Sequence, residues 1–164
     1  VAGFLLEQTP TWLAQAPAPF LLAPGPWRPL RRLLVVLRGF ASDARLLDWV
    51  VPLARQSRAA VTLLVLSHLP CPNLQALFCR EGPHKAHIDS CRRRLEEEGT
   101  SARLVIRQGL PLNQLLDELA QPHGYDLLAL AAEGQGVFVT QVLMALQRRR
   151  LHAQRPVLIV KPPV

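Results

Sequence analysis

The stretch Asp126–Gly136, DLLALAAEGQG, followed by a helical segment and then by Arg155–Pro162, RPVLIVKP, decides the fold. Leu127 to Ala131 and Val157 to Val160 are continuous apolar runs rather than alternating ones, the pattern of strands covered on both faces. A strand, a glycine-bearing turn, a helix and a strand in this order make a parallel βαβ unit. Its turn falls where such folds bind anionic ligands.

Toward the N-terminus, three more apolar runs alternate with helical patterns: Leu33 to Leu37, Val61 to Leu66 and Ala102 to Ile106. Together the five runs predict a doubly wound α/β domain, a five-stranded parallel sheet with helices on both faces. After the first run, Ser42 and Asp43 offer an N-terminal cap. Leu46, Leu47, Val50, Val51 and Ala54 then form one apolar helical stripe, interrupted by Pro52, where a kink is expected. Gly109-Leu110-Pro111 is a turn with proline at the first helical position, Leu112, Leu115, Leu116 and Leu119 follow as a buried stripe, and Gly124 ends the element.

At 164 residues and 49% hydrophobic content, with mean hydropathy +0.15, the chain can bury a single real core. Its apolar runs are far shorter than the roughly 18–20 residues that span a bilayer. Val1–Pro10 shows no positive leader or cleavage site, and three cysteines cannot all pair with one another. Both features predict a reducing, cytoplasmic location. The net charge of +7 gathers in Arg92-Arg93-Arg94 and Arg148-Arg149-Arg150. Glu96-Glu97-Glu98 follows the first triplet as on a solvated helix face, and neither triplet has an aromatic beside it, so nucleic-acid binding is disfavoured. No Walker A sequence, G-x-S-x-G elbow or paired-carboxylate pattern occurs, and no enzymatic activity is expected.

From Asp126 to Gly136 and from Arg155 to Pro162 the chain resembles the C-terminal half of a universal stress protein domain, and the order of elements extends the resemblance over about residues 31–162. The resemblance implies a Rossmann-like fold of the adenine nucleotide alpha-hydrolase type. In nucleotide-binding members an aspartate ends the first strand, and a motif of Gly, two residues, Gly, nine residues, Gly, then Ser or Thr follows the fourth. Here the aspartate position is Arg38, and the motif falls on Ala131, Gly134, Met144 and Ala145, so one of its four places is kept. Methionine puts bulk where close backbone approach to phosphate is wanted. The nucleotide-binding candidates that remain are Gly134, Gly136, Arg38 and Thr140.

The first residues echo the last ones. Shifted by 137 positions, Ala16–Pro24 lies on Ala153–Lys161, and Leu5-Leu6 on Val142-Leu143, a helix followed by the last strand. The expected organisation is therefore a helix and strand remnant of an upstream copy at 1–24, a linker at 25–30 and a complete domain at 31–164, as in tandem universal stress proteins. Family members commonly dimerise through the last strand. The resemblance thus implies a homodimer or a tandem association there, with Phe20, Leu22, Val157 and Ile159 at the interface, the remnant covering the exposed strand edge.

A second constellation follows the second apolar run. If Pro83 opens a helix, His84, His87 and Cys91 share one face, and Cys79 or Cys71 could complete a zinc tetrahedron. Without close CxxC or HxxxH pairs the alternative is favoured, with Cys91 joining Ile88 and Leu95 in an apolar stripe. The sequence thus predicts a regulatory or interaction module with a degenerate nucleotide pocket and an unidentified protein partner. No cofactor is expected; ATP at the Gly134/Gly136 loop is the alternative, and zinc is disfavoured.

Overall fold

In a computed structural model, residues 19–23, 26, 28–39, 41–67, 83–133, 136–149 and 155–161 are described. The elements run β1 (Phe20–Leu22), β2 (Arg32–Leu37), α1 (Ser42–Ser57), β3 (Ala60–Ser67), α2 (Pro83–Glu97), β4 (Ala102–Gln108), α3 (Pro111–Leu119), β5 (Leu127–Ala131), α4 (Val137–Arg148) and β6 (Val157–Val160). They build one six-stranded sheet in the order β1-β6-β5-β2-β3-β4. The five strands anticipated from the apolar runs are mutually parallel, and β1 adds an antiparallel sixth at the β6 edge.

The continuous apolar runs are explained by what lies on each face. Leu33, Val35 and Leu37 point to one layer, with Leu46, Leu47 and Val50 of α1 and Cys91 and Leu95 of α2. Leu34 and Val36 point to the other, with Leu115, Leu116 and Leu119 of α3 and Val139, Val142, Leu143 and Leu146 of α4. Alternate residues of one strand therefore serve two cores, and both must be apolar. The α1 helix passes through exposed Pro52 as one 16-residue element.

Two features fix the edges of this frame. Asp126 accepts hydrogen bonds at Oδ2 from the backbone N–H groups of Arg31 (2.9 Å) and Arg32 (2.8 Å), which ties the start of β2 to the start of β5. At the far edge, β1 pairs with β6 as Phe20↔Ile159, Leu21↔Leu158 and Leu22↔Val157. Phe20 and Leu22 pack partly buried against the second layer, while Leu21 faces solvent. The four residues Phe20, Leu22, Val157 and Ile159 thus meet within one chain. The helix anticipated before β1 lies outside the described residues.

Candidate functional site

The strand order reverses between β2 and β5, since β2 continues into α1 on one face and β5 into α4 on the other. In doubly wound sheets the crevice at such a point, outside the carboxyl ends of the strands, is where ligands bind. A cleft of about 610 Å³ lies there. Arg38 and Glu133 come from the ends of β2 and β5, Leu110 to Asn113 from the start of α3, and Val137, Phe138 and Gln141 from α4.

The polar groups around it are engaged with one another. Arg38 Nη1 lies 3.8 Å from Glu133 Oε2, and its guanidinium sits 4.3 Å from the centre of the Phe138 ring. Ser42 donates its hydroxyl hydrogen to Glu133 Oε1. Burial pushes the Glu133 carboxyl above the ordinary glutamate range and Asp43 adds to this, while Ser42 and Arg38 oppose it without prevailing. The Glu133 charge is therefore held less firmly than that of an exposed glutamate.

Behind this pair, Asp43 is fully buried. It accepts from the backbone N–H of Arg38 (3.3 Å) and of Gly39 (2.9 Å), and its Oδ2 lies 2.9 Å from His87 Nε2. The sequence suggested Ser42 and Asp43 as a helix cap. Instead Ala41 stands at the cap with no side-chain bond, Asp43 turns to the end of β2, and Ser42 turns to Glu133. The pull is tertiary: Asp43 satisfies two part-buried strand-end N–H groups at once instead of the helix end.

Arg38 lines the cleft. Gly136 has φ +71° and precedes α4, a left-handed backbone that suits glycine, and Gly134 lies outside the described residues. Thr140 sits one turn into α4, its N–H bonded to the Gly136 carbonyl, and is not among the described residues lining the cleft. Met144 and Ala145 fall inside the continuous α4, where Met144 is exposed and the Ala145 carbonyl accepts from Arg149. Both lie in the interior of that helix, where backbone amides are engaged in the helical ladder.

The metal candidates arrange differently from a zinc tetrahedron. His84 lies against Gly39, where a Cβ would come 2.6 Å from its Cε1, and Gly39 has φ +82°. Only glycine suits that spot. His87 directs Nε2 at Asp43, and the same nitrogen is 3.8 Å from Cys91 Sγ. Cys91 is buried in the apolar stripe, and burial, with Asp43 nearby, pushes its thiol up to about 11. A zinc ligand must be a thiolate, so this environment opposes the role. Among the described residues no group of three His, Cys, Asp or Glu is arranged to hold a metal ion, and Cys79 lies outside them. Among the described residues, too, no helix is long and apolar enough to cross a membrane.

Glu133, Phe138 and Asp43 were not anticipated as site residues, and His87 only as a metal candidate. Glu133 stood in the motif segment itself, as the only charged residue between Ala131 and Gly136.

No protein-family model and no curated protein sequence matches the chain. Solved structures do. A universal stress protein family member from Burkholderia pseudomallei is 20% identical over 85% of this chain and 100% of its own, with a TM-score of 0.58. One from Arabidopsis thaliana with AMP bound is 15% identical over 82% and 93%, with a TM-score of 0.58. One from Archaeoglobus fulgidus is 13% identical, with a TM-score of 0.67, and matches 94% of this chain over only 54% of its own length. The fold is that of the universal stress proteins.

Proposed function

We propose that the chain is a universal stress protein-like regulatory module that acts by association and does not take ATP in the usual family manner. The observation that carries this is that, among the described residues, the polar groups at the switch point are engaged with one another. Arg38 and Glu133 face each other, Ser42 is bonded to Glu133, and Asp43 is spent on backbone and His87. A triphosphate needs unspent donors, and among the described residues lining the cleft the one guanidinium faces a carboxylate.

The tandem reading of the N-terminus draws support from the register of β1. Under the 137-position shift Phe20, Leu21 and Leu22 correspond to Val157, Leu158 and Ile159. Leu21 pairs with Leu158, its own counterpart, and the flanking pairs exchange about it. That is the pairing two copies of one strand make around a two-fold axis. A β1 that is the last strand of an upstream copy, seated where a partner domain would pair, accounts for this self-conjugate register.

A second reading keeps a nucleotide in the cleft as a switch. It is favoured by the volume of about 610 Å³, within the range of small-molecule sites, and by the AMP held in the Arabidopsis thaliana structure. Calorimetric titration separates the two. Absence of heat from both millimolar Mg-ATP and AMP is expected; saturable binding of AMP alone would favour the switch, and tight Mg-ATP binding would overturn the proposal.

A further inference from the structure

The parallel strands begin, and the helices α1 to α4 end, on the side of the sheet opposite the cleft. Arginines gather there. Arg31 and Arg32 stand at the start of β2, Arg58 closes α1, Arg103 is the second residue of β4, and Arg148 and Arg149 end α4. All are exposed, and among the described residues none of them has an ion-pair partner. Acids and bases are also segregated between the two layers at this end. Glu96-Glu97-Glu98 closes α2 on the first layer, where Glu96 holds Arg92 and Glu98 holds Arg55. Arg32 and Arg103 lie two residues before Leu34 and Val105, so strand alternation puts them on the second layer, with the end of α4.

The positive charge on that second layer exceeds what the fold uses. Glu118 is matched by Arg107. Arg32, Arg103, Arg148, Arg149 and the buried Arg155 then face two carboxylates, the exposed Asp117 near the end of α3 and Asp126, which accepts from the backbone N–H groups of Arg31 and Arg32. Arg155 is spent on the fold, its Nη1 donating to the Leu119 carbonyl at the end of α3. Each helix end adds about half a negative charge, so the ends of α3 and α4 offset about one arginine and a surplus of about two positive charges remains. Charge left unpaired in this way draws an anionic partner.

We infer that this strand-start surface, on the α3–α4 side, docks an acidic segment of a protein partner. The inference rests on the reading that the chain acts by association, and it names the chemistry of what it associates with. Guanidinium forks take carboxylates through two parallel hydrogen bonds, and Arg32, Arg103, Arg148 and Arg149 have no carboxylate on theirs among the described residues. Other anionic partners fit less well. Tyr125 is buried and Trp49 stands on α1 of the other layer, so no described aromatic is placed on this side to stack a nucleic-acid base. Leu110 and Val137 are exposed at the cleft end, which leaves Met144 as the large apolar side chain exposed near Arg148, too little to enter a lipid surface.

The test is fluorescence anisotropy of a labelled deca-glutamate peptide with wild type and two double variants, Arg32→Glu/Arg103→Glu and Arg45→Glu/Arg93→Glu. Both pairs change the net charge equally, but Arg45 and Arg93 are exposed on α1 and α2, in the other layer. At about 50 mM salt the first pair should weaken binding about tenfold or more and the second less than about threefold. Where the first pair fails to fold, Arg103→Glu/Arg149→Glu takes its place with the same expectation. Equal losses in the two pairs, or no binding of the peptide by wild type at that salt, overturn the inference. So does tighter binding of a single-stranded oligonucleotide of equal charge, or of phosphatidylserine vesicles, than of the peptide. Tight Mg-ATP binding by wild type would sink the association reading, whereas a peptide that fails to bind a chain equally silent to Mg-ATP would sink this inference alone.

Discussion

Two buried carboxylates, Asp43 on one face of the sheet and Glu118 on the other, are held in opposite ways. Asp43 accepts mainly from backbone, the N–H groups of Arg38 and Gly39, and therefore fixes the floor of the strand-end cleft. Glu118 accepts from side chains, Tyr125 Oη at 2.6 Å and Arg107 Nη2 at 2.8 Å, and fastens α3 to the sheet. Burial alone would raise the Glu118 carboxyl, but the hydrogen bonds from Tyr125 and Arg107 outweigh it and hold it below the ordinary range. Both carboxylates are structural. Glu133 differs from both, since it is only partly buried and its carboxyl is held above the ordinary range.

Asp43→Ala should be the most damaging change, costing about 3 kcal/mol in urea unfolding, because two backbone donors and the His87 ring lose one acceptor together. Asp43→Asn should cost less. Glu118→Gln should cost about 1–2 kcal/mol near neutral pH, since the amide cannot accept from both partners with a full charge. A larger loss at Glu118 than at Asp43 would break the comparison.

The pH dependence sharpens it. The Glu118 carboxyl is depressed in the folded state, so its contribution is complete above the unfolded value of about 4.3 and vanishes as pH falls through the folded one. The stability gap between wild type and Glu118→Gln should therefore close below about pH 4. Tyr125 is the only tyrosine, so phenolate absorbance reports it alone. Burial, reinforced by the bond to Glu118, pushes it up to about 12. In Glu118→Gln it should titrate lower, part of the way toward about 10, and an unchanged value would deny the coupling.

Much of the fold was legible because the apolar runs report burial on both faces, a property local to each strand. Leu127–Ala131 and Val157–Val160 are strands with the bounds read from sequence. The site was less legible because its contacts are long-range. Asp43 and His87 are 44 residues apart, and Ser42 and Glu133 are 91 apart. Nothing near Ser42 in the chain announces that it will leave a helix cap for a partner across the switch point. Arg38 was identified through its strand-end position, whereas Phe138 looked like one more apolar residue of α4, its ring under the guanidinium having no local signature.

Arg38 and Glu133 are counter-ions in the cleft. A pH titration of the Glu133 side-chain carboxyl by carbon NMR, in wild type and in Arg38→Ala, tests it most directly. The predicted result is a wild-type value above the roughly 4.3 of an ordinary glutamate, because burial dominates, and a further rise when the opposing Arg38 charge is removed. A value at or below the ordinary one, unmoved by loss of Arg38, would contradict it.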